Sequence, residues 1–405
     1  MVDSANHDRP ADEIKVGGHQ ASSASMVTIM TSLWFAHLRG DDKVAVKPHS
    51  SPVFHAIKYL TGELDPAYLT TLRKFGGLQA YPSRTKDPDV SDFSTGSVGL
   101  GVTAPLFAAA ARRYLDAHFE RTNNTPARFV ALAGDAELDE GNVWEAIADP
   151  ALHGLGNVMW VVDTNRQSLD RVVPEQKIKK LVDFFGGAGW HVVEAKFGSV
   201  LEEAFARPGG EVLRAHIDAM SNEEYQSLFA VTGADLRRQF LHNAPSELAD
   251  FLTQWGDSDV ASLVLNLGGH DIPKLVDCYR QCDQVTDRPS VVFAYTIKGW
   301  GLPMAGDPLN HAALLSTEQV ATLRASFGFS ADDEWDRFDP ESAEGALCEQ
   351  VGGQINNTDP GPRPRIVIPA SVGTVIGKKP VSSQETFGRL LARLADQPEI
   401  ARRMV

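Results

Sequence analysis

The chain has 405 residues, of which 43% are hydrophobic and 22% charged, with a formal net charge of −15. Such a length predicts two or three folded units. The acidic balance argues against a basic face for nucleic acid or an anionic membrane, and no segment reaches 18 uninterrupted apolar residues.

Residues 1–16 read as a polar, acidic N-terminal arm, unlike the basic and apolar regions of a signal peptide. From Ser22 to Leu38, Met26, Val27, Met30, Leu33, Trp34 and Leu38 form a 3.6-residue stripe, which predicts a helix buried on one face. Asp41 to Val46 predicts a turn and a strand that ends in Lys47-Pro48-His49-Ser50-Ser51-Pro52, with a helix over 55–60. Residues 72–92, rich in Gly, Pro and charge, predict a long loop of the kind that is functional or disordered. The small-residue run 96–101 opens a helix over 103–118.

Two strand-like runs, Phe129–Ala133 and Val158–Val162, flank a helix that begins near Asn142 and ends before Pro150. In one sheet this unit implies parallel strands joined by a right-handed crossover. A helix over 173–185 and a strand over 190–194 follow, then a mainly helical, acidic stretch at 200–265 that reads as a peripheral insertion. Gly268-Gly269-His270-Asp271 precedes a helix through Gln281. Cys278 and Cys282 read there as buried small residues rather than a metal pair, because no His or further Cys lies close in sequence. With only Cys348 besides, there is no disulfide framework, and the expectation is a reducing cytoplasm. A buried strand over 290–296 ends in Ile297-Lys298-Gly299-Trp300-Gly301. Residues 353–381 read as a Pro- and Gly-rich linker, and 382–405 as a helix opened by the capping box Ser382-x-x-Glu385. The alternation of strands and helices predicts a doubly wound, parallel α/β domain over 17–352 with the helical insertion at 200–265.

The blocks behind the two central strands carry the chemistry. Gly134-Asp135-Ala136-Glu137 follows the first, and Asp163-Thr164-Asn165-Arg166-Gln167 follows the second. Open parallel sheets bind ligands outside the carboxyl ends of their strands. Asp135, Asn165 and Gln167 offer hard oxygen ligands without sulfur or imidazole, a set suited to Mg²⁺ or Ca²⁺, and Mg²⁺ commonly adds phosphate oxygens and water. The pair of blocks therefore reads as a metal–diphosphate site, although Asp and Asn at strand ends also serve as turn formers and helix caps. His19, His49 and His311 fall in loops where ligands bind. Taken together they are acid–base candidates over one cleft; taken singly they are also ordinary surface or capping histidines. Lys298, behind a buried strand, is either a partner for phosphate or carboxylate or a solvated lysine. No serine-hydrolase elbow, Walker loop or His-Glu-x-x-His motif occurs, and Gly99-x-Gly101 lacks the rest of a dinucleotide fingerprint.

With these residues in hand, the chain resembles the transketolase superfamily of thiamine diphosphate enzymes, and within it the homodimeric decarboxylating component of bacterial pyruvate dehydrogenase. The ordered motifs are GGHQASSAS (17–25), KPHSSP (47–52), GGLQAYPS (76–83), STGSVGLG (94–101), GDAELDE (134–140), DTNRQSLD (163–170), GAGW (187–190), GGHD (268–271) and TIKGWG (296–301). The resemblance implies that Asp135, Asn165 and Gln167 hold Mg²⁺. It also implies that His19, Ser22, His49 and Tyr81 line the thiamine diphosphate cleft, and that Gly134, Ala136, Glu137 and Lys298 stand at the cofactor. His19, His49 and His311 are the catalytic candidates. Four positions depart from the family pattern: Ala136 stands for the second Gly, Asp163 for Asn, Lys47 for Gln and Val98 for Met.

By the same resemblance the substrate is a 2-oxo acid whose acyl unit passes to a lipoyl-bearing acyltransferase. The alternatives are a transketolase acting on sugar phosphates and a catalytically silent cofactor-binding subunit. The match suggests an oligomer, and a pyrimidine-binding domain of which residues 382–405 hold only the first helix. The activating glutamate would then lie outside the chain, leaving it inactive without a partner.

Overall fold

A computed structural model describes residues 1–8, 16–89, 91–119, 127–168, 171–172, 175–355, 380–402 and 404. Seven strands occur among them: β1 (Lys43–Ala45), β2 (Phe129–Gly134), β3 (Val158–Thr164), β4 (Gln167–Ser168), β5 (Arg171–Val172), β6 (His191–Ala195) and β7 (Ser290–Tyr295). Five form one parallel sheet in the order β1-β2-β3-β7-β6, while β4 and β5 pair as a separate antiparallel hairpin. β2 and β3 are buried along their whole length, as their continuous apolar sequence requires of central parallel strands.

Alternation along each strand feeds two cores. The helices as far as Asp283 are α1 (Val2–His7), α2 (Gln20–Ala36), α3 (Ser51–Leu60), α4 (Leu100–His118), α5 (Gly141–Ala148) and α6 (Glu175–Gly187), then six in the insertion and α13 (Ile272–Asp283), of which α2 to α6 and α13 cover the two faces. On one face, Met26, Met30 and Leu33 of α2, Phe54 of α3 and Tyr279 of α13 pack on Val130, Met159, Val161 and Val292. On the other, Leu106 of α4, Val143 of α5 and Phe185 of α6 pack on Ala131, Trp160, Val162 and Phe293. The predicted doubly wound α/β architecture is the observed one. Cys278 and Cys282 are buried in the first core, and burial pushes their thiols up to about 11 and about 12, which keeps them inert at neutral pH.

The N-terminus departs from expectation. Residues 2–7 form α1 rather than a polar arm, with Val2 and Ala5 buried beside Leu64, Leu69 and Leu78. Asn6 brackets Gly17, donating to its carbonyl (3.1 Å) and accepting from its N–H (2.8 Å). Gly18 must lack a side chain, because a Cβ there would lie 2.4 Å from Val2 Cγ1. Two buried apolar side chains and the hydrogen bonds of Asn6 thus outweigh the polar composition of the stretch. Residues 9–15 of the expected arm lie outside the described residues.

The stretch 200–265 is helical as expected: α7 (Ser199–Phe205), α8 (Gly210–Ala219), α9 (Asn222–Ser227), α10 (Gly233–Phe240), α11 (Ser246–Phe251) and α12 (Asp257–Val264). It builds its own core around Leu213, Leu228, Leu236 and Phe240. It also reaches the block after β3, against which Tyr225 and Gln226 of α9 are buried. Two further helices, α14 (Thr317–Ser326) and α15 (Ala343–Ile355), carry no strong stripe and were not anticipated. Most of the expected linker, 356–379, lies outside the described residues.

The chain divides into two compact units, residues 1–112 with 124–357, and residues 113–123 with 358–405. The described part of the second includes α16 (Ser383–Ala395), capped by Ser382 Oγ accepting from Glu385 N (3.1 Å), and α17 (Pro398–Ala401). No helix among the described residues is long and apolar enough to cross a membrane.

At the amino edge of the sheet, Arg128 ties three elements together. It donates to Asp42 from Nε (3.0 Å), to both carboxylate oxygens of Asp283 from Nη1 (3.0 Å each) and to the His37 carbonyl from Nη2 (2.6 Å).

Candidate functional site

Parallel pairing brings the exits of the five sheet strands to one edge. Gly134 lies opposite Asp163 in the β2–β3 ladder, and Asp163 lies opposite Ala294 in the β3–β7 ladder. The segments after β1, β2, β3 and β7 and the start of α2 therefore meet around a cavity of about 390 Å³. Every residue that the sequence singled out as a cofactor, catalytic or metal candidate lines this one cavity, and Lys47, Pro48 and Ser97 complete the wall.

The acid and amide block sits at its base. Asp135 is 3% exposed and accepts from Arg166 N at Oδ2 (2.9 Å). Burial and the nearby Asp163 push its carboxyl up to about 6. Arg166 adopts a left-handed backbone (φ 61°), rare outside glycine, and its guanidinium lies over the Tyr225 ring at 5.3 Å. Asn165 Oδ1 accepts from Gln167 N (3.0 Å). Gln167 Nε2 donates to Gln226 Oε1 (3.1 Å) and to the Gly306 carbonyl (3.1 Å), and Gln226 Nε2 donates to the Asn165 carbonyl (3.4 Å). Ala136 has φ −74°, a conformation open to any residue, so alanine fits where the family pattern has glycine. Glu137 Oε2 accepts from Gly134 N (2.9 Å), and burial pushes this carboxyl up to about 7.

Behind the block lies a buried ion pair. Lys47 Nζ donates to Asp163 Oδ2 at 2.5 Å, and Asp163 is fully buried. Burial alone would raise the Asp163 carboxyl. The Lys47 charge, with hydrogen bonds from Lys47, Thr296 and Ser25, outweighs it and holds the group below the usual carboxylate range.

Three imidazoles form the opposite wall. His19 and His49 stack at 3.8 Å between centroids, and His311 stands edge-on at 5.0 Å from His19 and 5.7 Å from His49. Burial, and then the neighbouring positive groups, lowers His19 to about 4 and His49 to about 3. Both rings are neutral near pH 7 and can each accept one proton. Ser23 Oγ donates to the His49 carbonyl (2.9 Å), which ties the residue to α2. Lys298 Nζ lies 3.2 Å from His311 Nδ1. Tyr81 comes from the long loop, its ring 6.1 Å from His49. Two acids organise that loop. Asp87 accepts from the N–H groups of Gln79 and Ser83 (2.6 Å each), and Asp89 pairs with buried His55 (2.8 Å).

Residues 12–206 match the family model described as transketolase, thiamine diphosphate binding domain. These residues are a transketolase-family thiamine diphosphate-binding domain. The pyruvate dehydrogenase E1 component of Cupriavidus necator is 31% identical over 333 residues, covering 79% of this chain and 37% of that protein. The corresponding component of Escherichia coli K12 is 30% identical over 335 residues, with the same shares. The chain thus spans a little over a third of the length of these relatives. Among solved structures, transketolase from Leishmania mexicana shares the fold with a TM-score of 0.56 at 17% identity, over 94% of this chain and 47% of that one. Pichia stipitis transketolase in complex with sedoheptulose-7-phosphate gives 0.53 at 17% identity, over 83% and 41%.

The side chains of this thiamine diphosphate-binding domain suit a divalent cation beside an anion. Asp135 is a buried carboxylate next to a second one, and burial, then the charge of Asp163, raises its proton affinity, an environment that a bound cation would suit. Gln167 Oε1 is buried with no hydrogen-bond partner among the described residues, another hard oxygen at the same place. A Cβ on Gly134 would stand 3.2 Å from Lys47 Cε, so glycine there leaves the turn open for close approach.

Sequence reasoning missed Gln226, because a polar residue in an acidic helical stretch carries no motif. It also missed Ser25 and Thr296 as partners of Asp163, although both lie inside quoted motifs. His270, from the GGHD motif, lies under the site. Its Nε2 accepts from Ile297 N (2.8 Å), and its ring stacks on Trp300 at 4.3 Å.

Burial lowers His270 to about 3, so the folded state favours its neutral form. The unfolded chain takes up that proton near the usual histidine value, and stability present above it is lost as pH falls. At pH 5 this amounts to about 2 kcal/mol for His270. His270→Gln is expected to shrink the difference between urea-unfolding free energies at pH 7 and pH 5 by that amount. An unchanged difference removes His270 from the acid response.

Proposed function

We propose that this chain is the diphosphate-anchoring portion of a thiamine diphosphate- and Mg²⁺-dependent enzyme that decarboxylates a 2-oxo acid and passes the acyl unit to a lipoyl group. One observation carries the reading: Asp135, Asn165, Gln167 and the three imidazoles converge on one cavity at the carboxyl edge of the sheet. The choice of reaction is supported by the curated relatives, which are pyruvate dehydrogenase E1 components.

In this reading Asp135, Asn165 and Gln167 hold Mg²⁺, the last through an oxygen of its own residue. The N–H groups of Ala136 and Glu137, at the start of a helical turn, donate to the diphosphate. Thiamine diphosphate, when bound, supplies the electron sink for cleaving the bond beside a ketone carbonyl. His19 and His49, neutral at pH 7, take up or return a proton at a ring nitrogen next to the reacting group. Lys298 and His311 present donors to a substrate carboxylate or to phosphate, and Ser22 and Tyr81 shape the cleft. We also place a pyrimidine-binding domain, in an oligomer, among the requirements for turnover. The three free cysteines are in keeping with a reducing cytoplasm.

Calorimetric titration of thiamine diphosphate with and without Mg²⁺ tests the binding half of the proposal. Assay of the chain together with a pyrimidine-binding domain, on pyruvate and on xylulose 5-phosphate, tests the reaction. Turnover of the sugar phosphate alone sinks the 2-oxo acid assignment. A separate expectation concerns the helical insertion. Gln226→Leu removes the hydrogen bonds that orient Gln167 and the Asn165 carbonyl, and is expected to weaken Mg²⁺ affinity about tenfold. Equal affinity in that variant would show that the metal ligands hold their geometry without α9.

A further inference from the structure

We propose that Lys47 is a cationic anchor for the ligand's diphosphate, held in place by Asp163, so that the site supplies a fixed positive charge of its own alongside the metal. The inference rests on reading the cavity as a diphosphate site.

Lys47 is 5% exposed and lines the cavity. A lysine ammonium has three donors. Among the described residues its one hydrogen-bond partner is Asp163 Oδ2, at 2.5 Å. Asp163 does not depend on Lys47 alone. The same oxygen accepts from Ser25 Oγ (2.7 Å) and Asn165 Nδ2 (3.0 Å), and the other accepts from Thr296 Oγ1. The carboxylate is therefore oversupplied with donors while the ammonium keeps protons to give. The place of the ammonium follows from Gly134. The point where a Cβ would sit on that residue is 3.6 Å from Lys47 Nζ. The ammonium thus lies over the turn whose following N–H groups form the anion cradle. A buried, desolvated cation at that place attracts an anion far more strongly than a surface lysine does.

Lys47 and Asp163 are also two of the four positions at which the sequence leaves the family pattern, where Gln and Asn are usual. The structure makes them a single feature, a neutral pair exchanged for an ion pair. The competing role is a counter-ion only, in which Lys47 neutralises Asp163 and meets no ligand.

The test uses the full chain and two variants, Asp163→Asn and the double variant Lys47→Gln/Asp163→Asn. The double variant keeps the net charge of the unmodified chain. Inorganic diphosphate with Mg²⁺, and thiamine diphosphate with Mg²⁺, are titrated by calorimetry at low and high salt, with ligand-free melting temperatures as a control for folding. Asp163→Asn, with the ammonium released from its partner, is expected to bind inorganic diphosphate at least as tightly as the unmodified chain. The double variant is expected to bind it about tenfold more weakly, with a flatter salt dependence. Equal affinities in the two variants overturn the proposal and leave Lys47 as a counter-ion. If the unmodified chain binds thiamine diphosphate and the variants do not differ, this inference alone falls. If the unmodified chain binds neither ligand, the diphosphate reading falls with it.

Discussion

Asp135→Ala is expected to abolish the proposed Mg²⁺-dependent binding of thiamine diphosphate, a loss of at least about 100-fold in calorimetric affinity. Asp135 supplies the one carboxylate of the three candidate metal ligands. Its Oδ2 also accepts from Arg166 N (2.9 Å), which holds the β3 exit loop in its left-handed turn. The amide ligands Asn165 and Gln167 contribute dipoles but no charge, and cannot retain a hard dication without it. Asp135→Asn separates charge from shape, since an amide oxygen still accepts from Arg166. That variant is also expected to lose Mg²⁺-dependent binding, with a ligand-free melting temperature equal to or above that of the unmodified chain. The physical reason is that two buried carboxylates lie close together at this point, and burial and Asp163 push Asp135 up to about 6. Removing one charge relieves a cost that the cation otherwise offsets. Unchanged thiamine diphosphate affinity in Asp135→Ala would remove the metal assignment altogether.

Arg128→Ala is expected to lower the free energy of unfolding by about 3–5 kcal/mol, the range for deleting one partner of a buried ion pair. Arg128 is 7% exposed, and its guanidinium is divided between Asp42, Asp283 and the His37 carbonyl. Asp42 comes from the turn before β1, Asp283 ends α13, and Arg128 precedes β2, so one side chain closes the amino edge of the sheet across three elements. Its loss leaves Asp42, itself 7% exposed, without its charged partner. Arg128→Lys retains the charge but not the planar fork, and falls between the two. Urea unfolding measures the change, and a loss under about 1 kcal/mol would show that water replaces the guanidinium at this edge. The cluster lies at the end of the sheet away from the cavity. Ligand affinity per folded molecule therefore stays unchanged, which distinguishes this variant from Asp135→Ala.

The β2–α5–β3 unit was legible because its signals are local. FVALA and VMWVV are apolar without alternation, as central parallel strands are, and each is followed at once by a polar block. Parallel strands in one sheet present their carboxyl ends together, so the convergence of Asp135 with Asn165 follows from strand order and direction alone. The stripe over 22–38 likewise specified α2, with Met26, Met30, Leu33 and Trp34 buried as expected, although Val27 is 46% exposed. The N-terminal residues misled because composition outweighed pattern. Two apolar side chains, Val2 and Ala5, suffice to dock a six-residue helix when a glycine pair lets the backbones approach.

Local chemistry in the chain determined that there is a parallel α/β sheet, which segments leave its carboxyl edge, and which oxygen and imidazole groups stand there. Tertiary structure decided the rest: that β7 lies between β3 and β6, that α9 reaches the block after β3, and that Lys47 meets Asp163. That last pair is separated by 116 residues. No periodicity or spacing rule connects two positions so far apart, because their encounter depends on which strands pair and not on the residues between them. In the sequence they were two separate departures from a pattern, and folding makes them one buried charge pair at the wall of the cavity.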